Sequence, residues 1–169
     1  MNKEKTNRVL EYFDELFPDA YCELNHESDF QLLVAVMLSA QTTDKKVNQL
    51  TENLFKKYPT VEAVSQASLP ELEQDIKTIG LYRNKAKNLL ALSHVLIEQF
   101  DGIVPSDQKQ LESLPGVGRK TANVVRSVAF DIPAFAVDTH VERISKRLGF
   151  AKRDDNVLTV EKKLCRSIP

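Results

Sequence analysis

The chain has 169 residues, of which 42% are hydrophobic and 28% are charged, and it contains only 5 glycines and 7 prolines. This composition is typical of a folded globular protein and excludes a disordered or fibrous chain. The formal net charge is −1, so the total charge does not indicate a nucleic-acid ligand. The longest apolar stretch, around Leu32 to Leu38, is too short to span a bilayer, and the N-terminus lacks the apolar core of a signal peptide. We therefore expect a cytoplasmic protein with no membrane partner.

Hydrophobic residues recur at helical spacing nearly throughout the chain, which predicts an all-α fold of eight to ten short helices. One segment is apolar on every side and should form a fully buried helix. Ser28, Ser68 and Ser106 are predicted N-caps, Ser68 within a capping box, and Gly80 is expected to close the helix that Ser68 begins. In chain order, the predicted helices cover about residues 9–17, 30–38 (the buried one), 47–55, 68–80, 89–100, 106–114, 119–130, 138–148 and 157–167.

The charge is distributed unevenly along the chain. Residues 1–30 contain eight Asp or Glu and three Lys or Arg, whereas residues 119–153 contain eight Lys or Arg and three Asp or Glu. This distribution favours one basic face, as a DNA-binding protein would have. Ordinary solvated helix faces would produce the same distribution, so charge alone leaves both interpretations open.

Cys22 and Cys165 are the only cysteines. Two distant thiols in a cytoplasmic protein are expected to be reduced and structural. A zinc site or an iron–sulfur cluster usually takes four ligands, so these two residues predict no metal site.

The most informative stretch is Leu114-Pro115-Gly116-Val117-Gly118-Arg119-Lys120-Thr121, which lies between two helical patterns. It predicts a helix-hairpin-helix over about residues 107–130. Gly116 and Gly118 permit positive φ and a close approach of the backbone to a ligand. The amides of such a turn and of the following helix N-terminus form an anion site, for which a DNA phosphate is the natural occupant. The alternative is an ordinary glycine turn between two helices.

This string resembles the helix-hairpin-helix of the base-excision DNA glycosylases. Three further stretches resemble endonuclease III in particular, and the resemblance extends from about residue 5 to the end of the chain. It implies a helical barrel domain over residues 22–132 and a second helical domain formed by residues 1–21 and 133–169. The three stretches are Leu38-Ser39-Ala40-Gln41-Thr42-Thr43-Asp44, Ile79-Gly80-Leu81-Tyr82 and Val137-Asp138-Thr139-His140.

The family implies a base-excision repair enzyme that removes damaged pyrimidines from duplex DNA and nicks the abasic site through a lysine Schiff base. Lys120 would be the nucleophile, and Asp138 the assisting carboxylate. Lysine is almost fully protonated at neutral pH. The helix N-terminus at Lys120 and the neighbouring Arg119 both disfavour the ammonium form there. Read without the family, Lys120 would be a phosphate contact and Asp138 a helix N-cap.

The enzyme must also extrude the target nucleotide and fill the gap that it leaves. By resemblance, Gln41 enters the vacated space and Leu81 inserts beside the unpaired base, whereas without the family Leu81 would be a core leucine and Gln41 a helix-terminal amide. Asp44 is expected either to line the damaged-base pocket or to cap a helix. The remaining predicted DNA contacts are Gly116, Val117, Gly118, Arg119, Thr121, His140 and Arg143.

Endonuclease III normally carries four cysteines that bind a [4Fe–4S] cluster near its C-terminus. The chain stops at Pro169, before that segment would begin, and neither of its cysteines matches a cluster ligand. The cluster is therefore expected only in a longer form. The chemistry itself is expected to need no cofactor, and the protein is expected to be a monomer.

Five other functions are alternatives to this assignment. Adenine and mismatch-specific thymine glycosylases resemble it but lack a lysine at position 120, and an 8-oxoguanine glycosylase would keep the lysine but matches residues 38–44 less well. A catalytically impaired DNA-binding fragment would keep the hairpin and lose the chemistry. A metal-dependent nuclease would need a cluster of Asp, Glu and His at ligand spacing, which the sequence does not contain.

Overall fold

The computed structural model describes residues 2–169 and contains ten α-helices and no strand over that range. The predicted all-α class is therefore confirmed. In chain order the helices are α1 Lys3–Leu16, α2 Asp29–Leu38, α3 Asp44–Lys57, α4 Val61–Ser65, α5 Leu69–Ile76, α6 Tyr82–Phe100, α7 Gln108–Ser113, α8 Arg119–Ala129, α9 Thr139–Leu148 and α10 Val157–Ser167.

The helices form two compact units. One unit contains the described residues up to Cys22 together with Pro133–Pro169, and the other is Glu23–Ile132. The first unit thus combines both ends of the chain. No helix within residues 2–169 is long and apolar enough to cross a membrane.

Helix α2 is the centre of the 23–132 unit. Every residue from Phe30 to Leu38 is buried, as predicted, including the polar Gln31, and the helix packs against α3, α6 and α8. Ser28 caps it, because the hydroxyl oxygen accepts a hydrogen bond from Gln31 N at 3.2 Å. A helix that is apolar all round must be covered on every side, and α3, α6 and α8 provide that cover.

In the other unit, α1, α9 and α10 each contribute to one small core. Its buried members lie on and around α10, and partly buried side chains from α1 and α9 pack against them. The buried set is Val137, Phe150, Ala151, Val160 and Leu164, and the partly buried set includes Val9, Val141 and Leu148.

Helix starts show where capping chemistry predicts structure well and where it does not. The capping box at Ser68 is confirmed, since Ser68 and Glu71 each bond the other's backbone amide. The prediction of Ser106 as N-cap is wrong, because Asp107 caps α7 through Oδ1 and Gln110 N at 3.0 Å. The prediction that Gly80 closes α5 is also wrong, since α5 ends at Ile76.

Candidate active site

The predicted hairpin joins α7 to α8 in the 23–132 unit. Val117 N donates to Leu114 O at 3.1 Å, and this bond closes the turn. Val117 is only 6% exposed, so its side chain anchors the hairpin in the core of the unit. Gly116 and Gly118 on either side of it are exposed.

The two hairpin glycines have different roles. Gly116 has φ +76°, and a Cβ there would lie 2.9 Å from Cβ of Asn88 and 3.0 Å from Sδ of Met37. Gly118 has φ −95°, and a Cβ there would meet nothing within 4 Å. Both glycines permit positive φ, and only Gly116 adopts it. Nothing within the unit requires Gly118 to lack a side chain.

The first turn of α8 carries the proposed nucleophile. Gly118 is the N-cap and has no side chain to accept from the first amides of the helix, and the first intrahelical bond runs from Ala122 N to Gly118 O at 2.9 Å. Helix N-termini of this kind attract anions. Lys120 and Arg119 are both exposed in this turn, and Arg119 Nη1 lies 3.7 Å from Glu112 Oε1 on α7.

In the other unit, Asp138 is the N-cap of α9. Its Oδ1 accepts hydrogen bonds from His140 N and from Val141 N, both at 2.9 Å, so the capping interpretation is confirmed. The side chain is half-buried. His140 and Arg143 are exposed on the same helix, with Arg143 Nη2 3.2 Å from His140 Nδ1.

Gln41 and Leu81, the two predicted wedge residues, share an unusual backbone conformation. Gln41 has φ 57° and Leu81 has φ 59°, the left-handed region that residues with a side chain rarely occupy. Both side chains are exposed, Leu81 at 57%, so the interpretation of Leu81 as a core leucine is wrong. Left-handed residues of this kind cost free energy and are concentrated at functional sites.

Asp44, the predicted base-pocket residue, is exposed in the first turn of α3. The alternative interpretation as an N-cap is wrong, because Thr43 caps this helix through Oγ1 and Lys46 N at 3.4 Å. The acidic side chain of Asp44 lies at the N-terminus of α3, where the helix dipole favours negative charge.

Lys85 is a residue that the sequence analysis missed. It lies in the first turn of α6, is only 6% exposed, and donates from Nζ to Leu38 O at 2.9 Å, Ala40 O at 2.6 Å and Thr42 Oγ1 at 3.1 Å. Burial lowers the pKa of this lysine. The helical pattern contained a signal for it, since Lys85 precedes the buried Leu89 by four residues and Leu92 by seven and therefore lies on the buried face.

The donor set for a metal is small. Within residues 2–169 no group of three or more His, Cys, Asp or Glu side chains is arranged to hold a metal ion. Cys22 is half-buried and Cys165 is exposed, and both are free thiols. Two thiols do not fit the four-cysteine ligand set of a [4Fe–4S] cluster.

Comparison with known proteins identifies the family. Residues 34–169 match the model of the HhH-GPD superfamily of base excision DNA repair proteins. Endonuclease III of Bacillus subtilis is 56% identical over 169 residues, which are 100% of this chain and 77% of that protein. Endonuclease III of Escherichia coli K12 is 46% identical over 169 residues, 100% of this chain and 80% of that protein.

Solved structures give the same result. A trapped endonuclease III–DNA covalent intermediate, an estranged-adenine complex, has TM-score 0.94 and 56% identity, covering 100% of this chain and 79% of that chain. A thermostable thymine-DNA glycosylase has TM-score 0.82 at 24% identity, covering 97% of this chain and 82% of that one, and so shares the fold. The chain is a member of the endonuclease III family within the HhH-GPD superfamily.

Proposed function

We propose that the chain is a DNA glycosylase and abasic-site lyase that excises damaged pyrimidines from duplex DNA as a monomer. The observation that carries the proposal is the position of Lys120, which is exposed in the first turn of α8 directly after the hairpin. The family to which the chain belongs supports the same function. The lysine supports a lyase over a pure glycosylase, because a Schiff base needs an amine.

In the proposed reaction, the lone pair of Lys120 Nζ attacks C1′ of the damaged nucleotide, and Nζ gives up a proton as the new bond forms. The bond from C1′ to the base breaks, and the base leaves with the bonding electrons and takes up a proton. The nitrogen lone pair then forms a double bond to C1′ while the C1′–O4′ bond breaks and O4′ takes up a proton from water. The resulting Schiff base makes the C2′ proton acidic. Loss of that proton expels the 3′ phosphate and nicks the strand, and water then releases the lysine.

The assisting carboxylate in this proposal is Asp138. It would stabilise positive charge as it develops on the sugar, or help move the proton of the lysine. Its capping bonds to His140 N and Val141 N hold the carboxylate in one orientation, which is the pre-organisation that such a role requires.

The hairpin would bind a phosphate of the duplex. Exposed Gly116 and Gly118 and the N-terminus of α8 supply backbone amides and a favourable dipole, and Arg119 and Thr121 add side chains to the same turn. His140 and Arg143 would add contacts from α9. We place Gln41 and Leu81 in the gap that the extruded nucleotide leaves, and Asp44 against the damaged base.

The deciding experiment is borohydride trapping on duplex DNA that carries a thymine glycol. Borohydride reduces the Schiff base to a stable amine, so the parent protein should become covalently linked to DNA. Lys120→Gln should bind DNA and give no link. Lys109→Gln, which removes an exposed lysine from α7 of the same hairpin, is the matched control and should be trapped like the parent.

Two other outcomes have clear meanings. Binding without trapping by the parent protein would overturn the lyase assignment in favour of a DNA-binding module. Trapping by Lys120→Gln would move the nucleophile to another residue. Since the proposed chemistry uses no metal, trapping is expected to persist in a chelator.

A further inference from the structure

The side chain of one buried residue in α6, Lys85, connects the loop of Gln41 to the helix that follows Leu81. Gln41 lies in the loop between α2 and α3, and Leu81 is the N-cap residue of α6. Lys85 contacts both segments. Its Nζ donates to Leu38 O, Ala40 O and Thr42 Oγ1 around Gln41, and its backbone N donates to Leu81 O at 3.0 Å.

The Nζ contacts surround Gln41 on both sides. Ala40 O accepts at 2.6 Å and Thr42 Oγ1 at 3.1 Å, so the residues before and after Gln41 are both held by the same ammonium group. Leu38 O, at 2.9 Å, belongs to the last residue of α2, where the helix dipole is negative. A loop with Gln41 at φ 57° is conformationally costly, and these bonds offset that cost.

Burying a lysine to make these hydrogen bonds costs free energy, because the charged group loses its contact with water. All three acceptors of the Nζ hydrogen bonds are neutral oxygens. The cost of removing the ammonium group from water is therefore offset by these hydrogen bonds and by the negative end of the α2 dipole. Three donors on one nitrogen match three acceptors within residues 38–42, which a neutral polar side chain of similar length does not offer.

Resting on the proposed function, we propose that Lys85 is a positioning residue. It fixes the Gln41 loop relative to Leu81 so that the two side chains enter the duplex together while the damaged nucleotide leaves. Lys85 itself is buried and does not touch DNA. Its contribution is therefore to extrusion of the nucleotide and not to the Schiff-base chemistry.

The test compares two substrates that demand different amounts of base extrusion. Lys85→Met fills the same space without donors. On duplex DNA with a well-paired thymine glycol, the single-turnover excision rate of Lys85→Met should be lower than that of the parent by about tenfold or more. On DNA with a preformed abasic site, its cleavage rate should be lower by less than about threefold, because an abasic site is extruded from the duplex at lower cost. The fluorescence of a 2-aminopurine placed beside the lesion should rise more slowly with Lys85→Met than with the parent, because the bases unstack more slowly. Lys87→Met, from an exposed position on the same helix, should behave as the parent does.

A double-mutant cycle tests the route of action. If Lys85 acts through the Gln41 loop, Lys85→Met should add little to the excision defect of Gln41→Ala. Thr42→Val removes one acceptor and keeps the side-chain shape, so it serves if Lys85→Met does not fold, and it should slow excision in the same substrate-selective way.

Equal slowing on both substrates, full additivity with Gln41→Ala, or no defect in folded Lys85→Met and Thr42→Val would each overturn the proposal. These outcomes differ from failure of the proposed function, in which the parent protein itself would form no borohydride-trapped complex.

Discussion

Gly116 in the hairpin lies against Asn88 of α6 so closely that a Cβ on the glycine would be 2.9 Å from the Cβ of the asparagine. Backbone and Cβ atoms cannot approach in this way without a shift of one helix. Together with φ +76°, this contact makes the hairpin part of the packed core as well as a turn. The packing of the protein itself therefore requires a glycine at position 116, whether or not a ligand binds to the hairpin.

Gly116→Ala should therefore destabilise the protein. The positive φ and the overlap with Asn88 and Met37 together should lower the free energy of unfolding by about 2 kcal/mol or more. Urea denaturation followed by circular dichroism measures this directly. A loss below about 0.5 kcal/mol, the range of neutral surface substitutions, would mean that the hairpin relaxes without cost.

Gly118→Ala should leave stability nearly unchanged and weaken DNA binding. With φ −95° and nothing within 4 Å of an added Cβ, the change in the free energy of unfolding should stay within about 0.5 kcal/mol. If a phosphate approaches this backbone, however, the new methyl group would obstruct it, and affinity for duplex DNA should fall by about tenfold, which is 1.4 kcal/mol. Fluorescence anisotropy at fixed salt is the measurement. Unchanged affinity would place the phosphate elsewhere.

The capping role of Asp138 can be separated from its proposed catalytic role. Asn and Asp cap helices about equally well, so Asp138→Asn should leave the melting temperature nearly unchanged and reduce the single-turnover rate of strand cleavage by at least about tenfold. Asp138→Ala removes the acceptor as well and should cost about 1 kcal/mol of stability in addition. Full activity in Asp138→Asn would rule out a role for the carboxylate charge.

Much of the fold could be predicted because its signals are local. The apolar run over residues 30–38, the Ser68 capping box and the Asp138 cap each lie within one helix and act over a few residues. One error arose where two neighbouring residues could both cap a helix. Ser106 and Asp107 are both good caps, and the structure uses Asp107 while Ser106 O accepts from Arg126 Nε at 3.3 Å.

The site was predicted less completely, because its geometry depends on contacts between distant segments. The motifs predict roles for Gln41 and Leu81, but nothing local to these residues indicated that both would have positive φ. The link between them is Lys85, whose Nζ contacts lie 43 to 47 residues away in sequence. Five-residue α4, from Val61 to Ser65, escaped prediction because it is shorter than the window that reveals helical spacing.

The capping box of α5 predicts a specific dependence of stability on pH. Glu71 Oε2 accepts from Ser68 Oγ at 2.7 Å and from Ser68 N at 3.0 Å, and these bonds hold the pKa of Glu71 below its ordinary value of 4.5. A carboxyl whose pKa is lowered by folding stabilises the protein above its unfolded pKa, and that stabilisation is lost as pH falls through the folded pKa.

Glu71→Gln keeps an acceptor for Ser68 but removes the titration. The unfolding free energy of the parent should therefore fall more steeply than that of Glu71→Gln as pH drops from about 6 to about 3, because only the parent must protonate this carboxyl. Ser68→Ala should raise the pKa of Glu71 towards 4.5, as read by NMR titration of the side chain. Parallel stability curves for parent and Glu71→Gln, with no change of the Glu71 pKa in Ser68→Ala, would show that the capping box contributes nothing to acid stability.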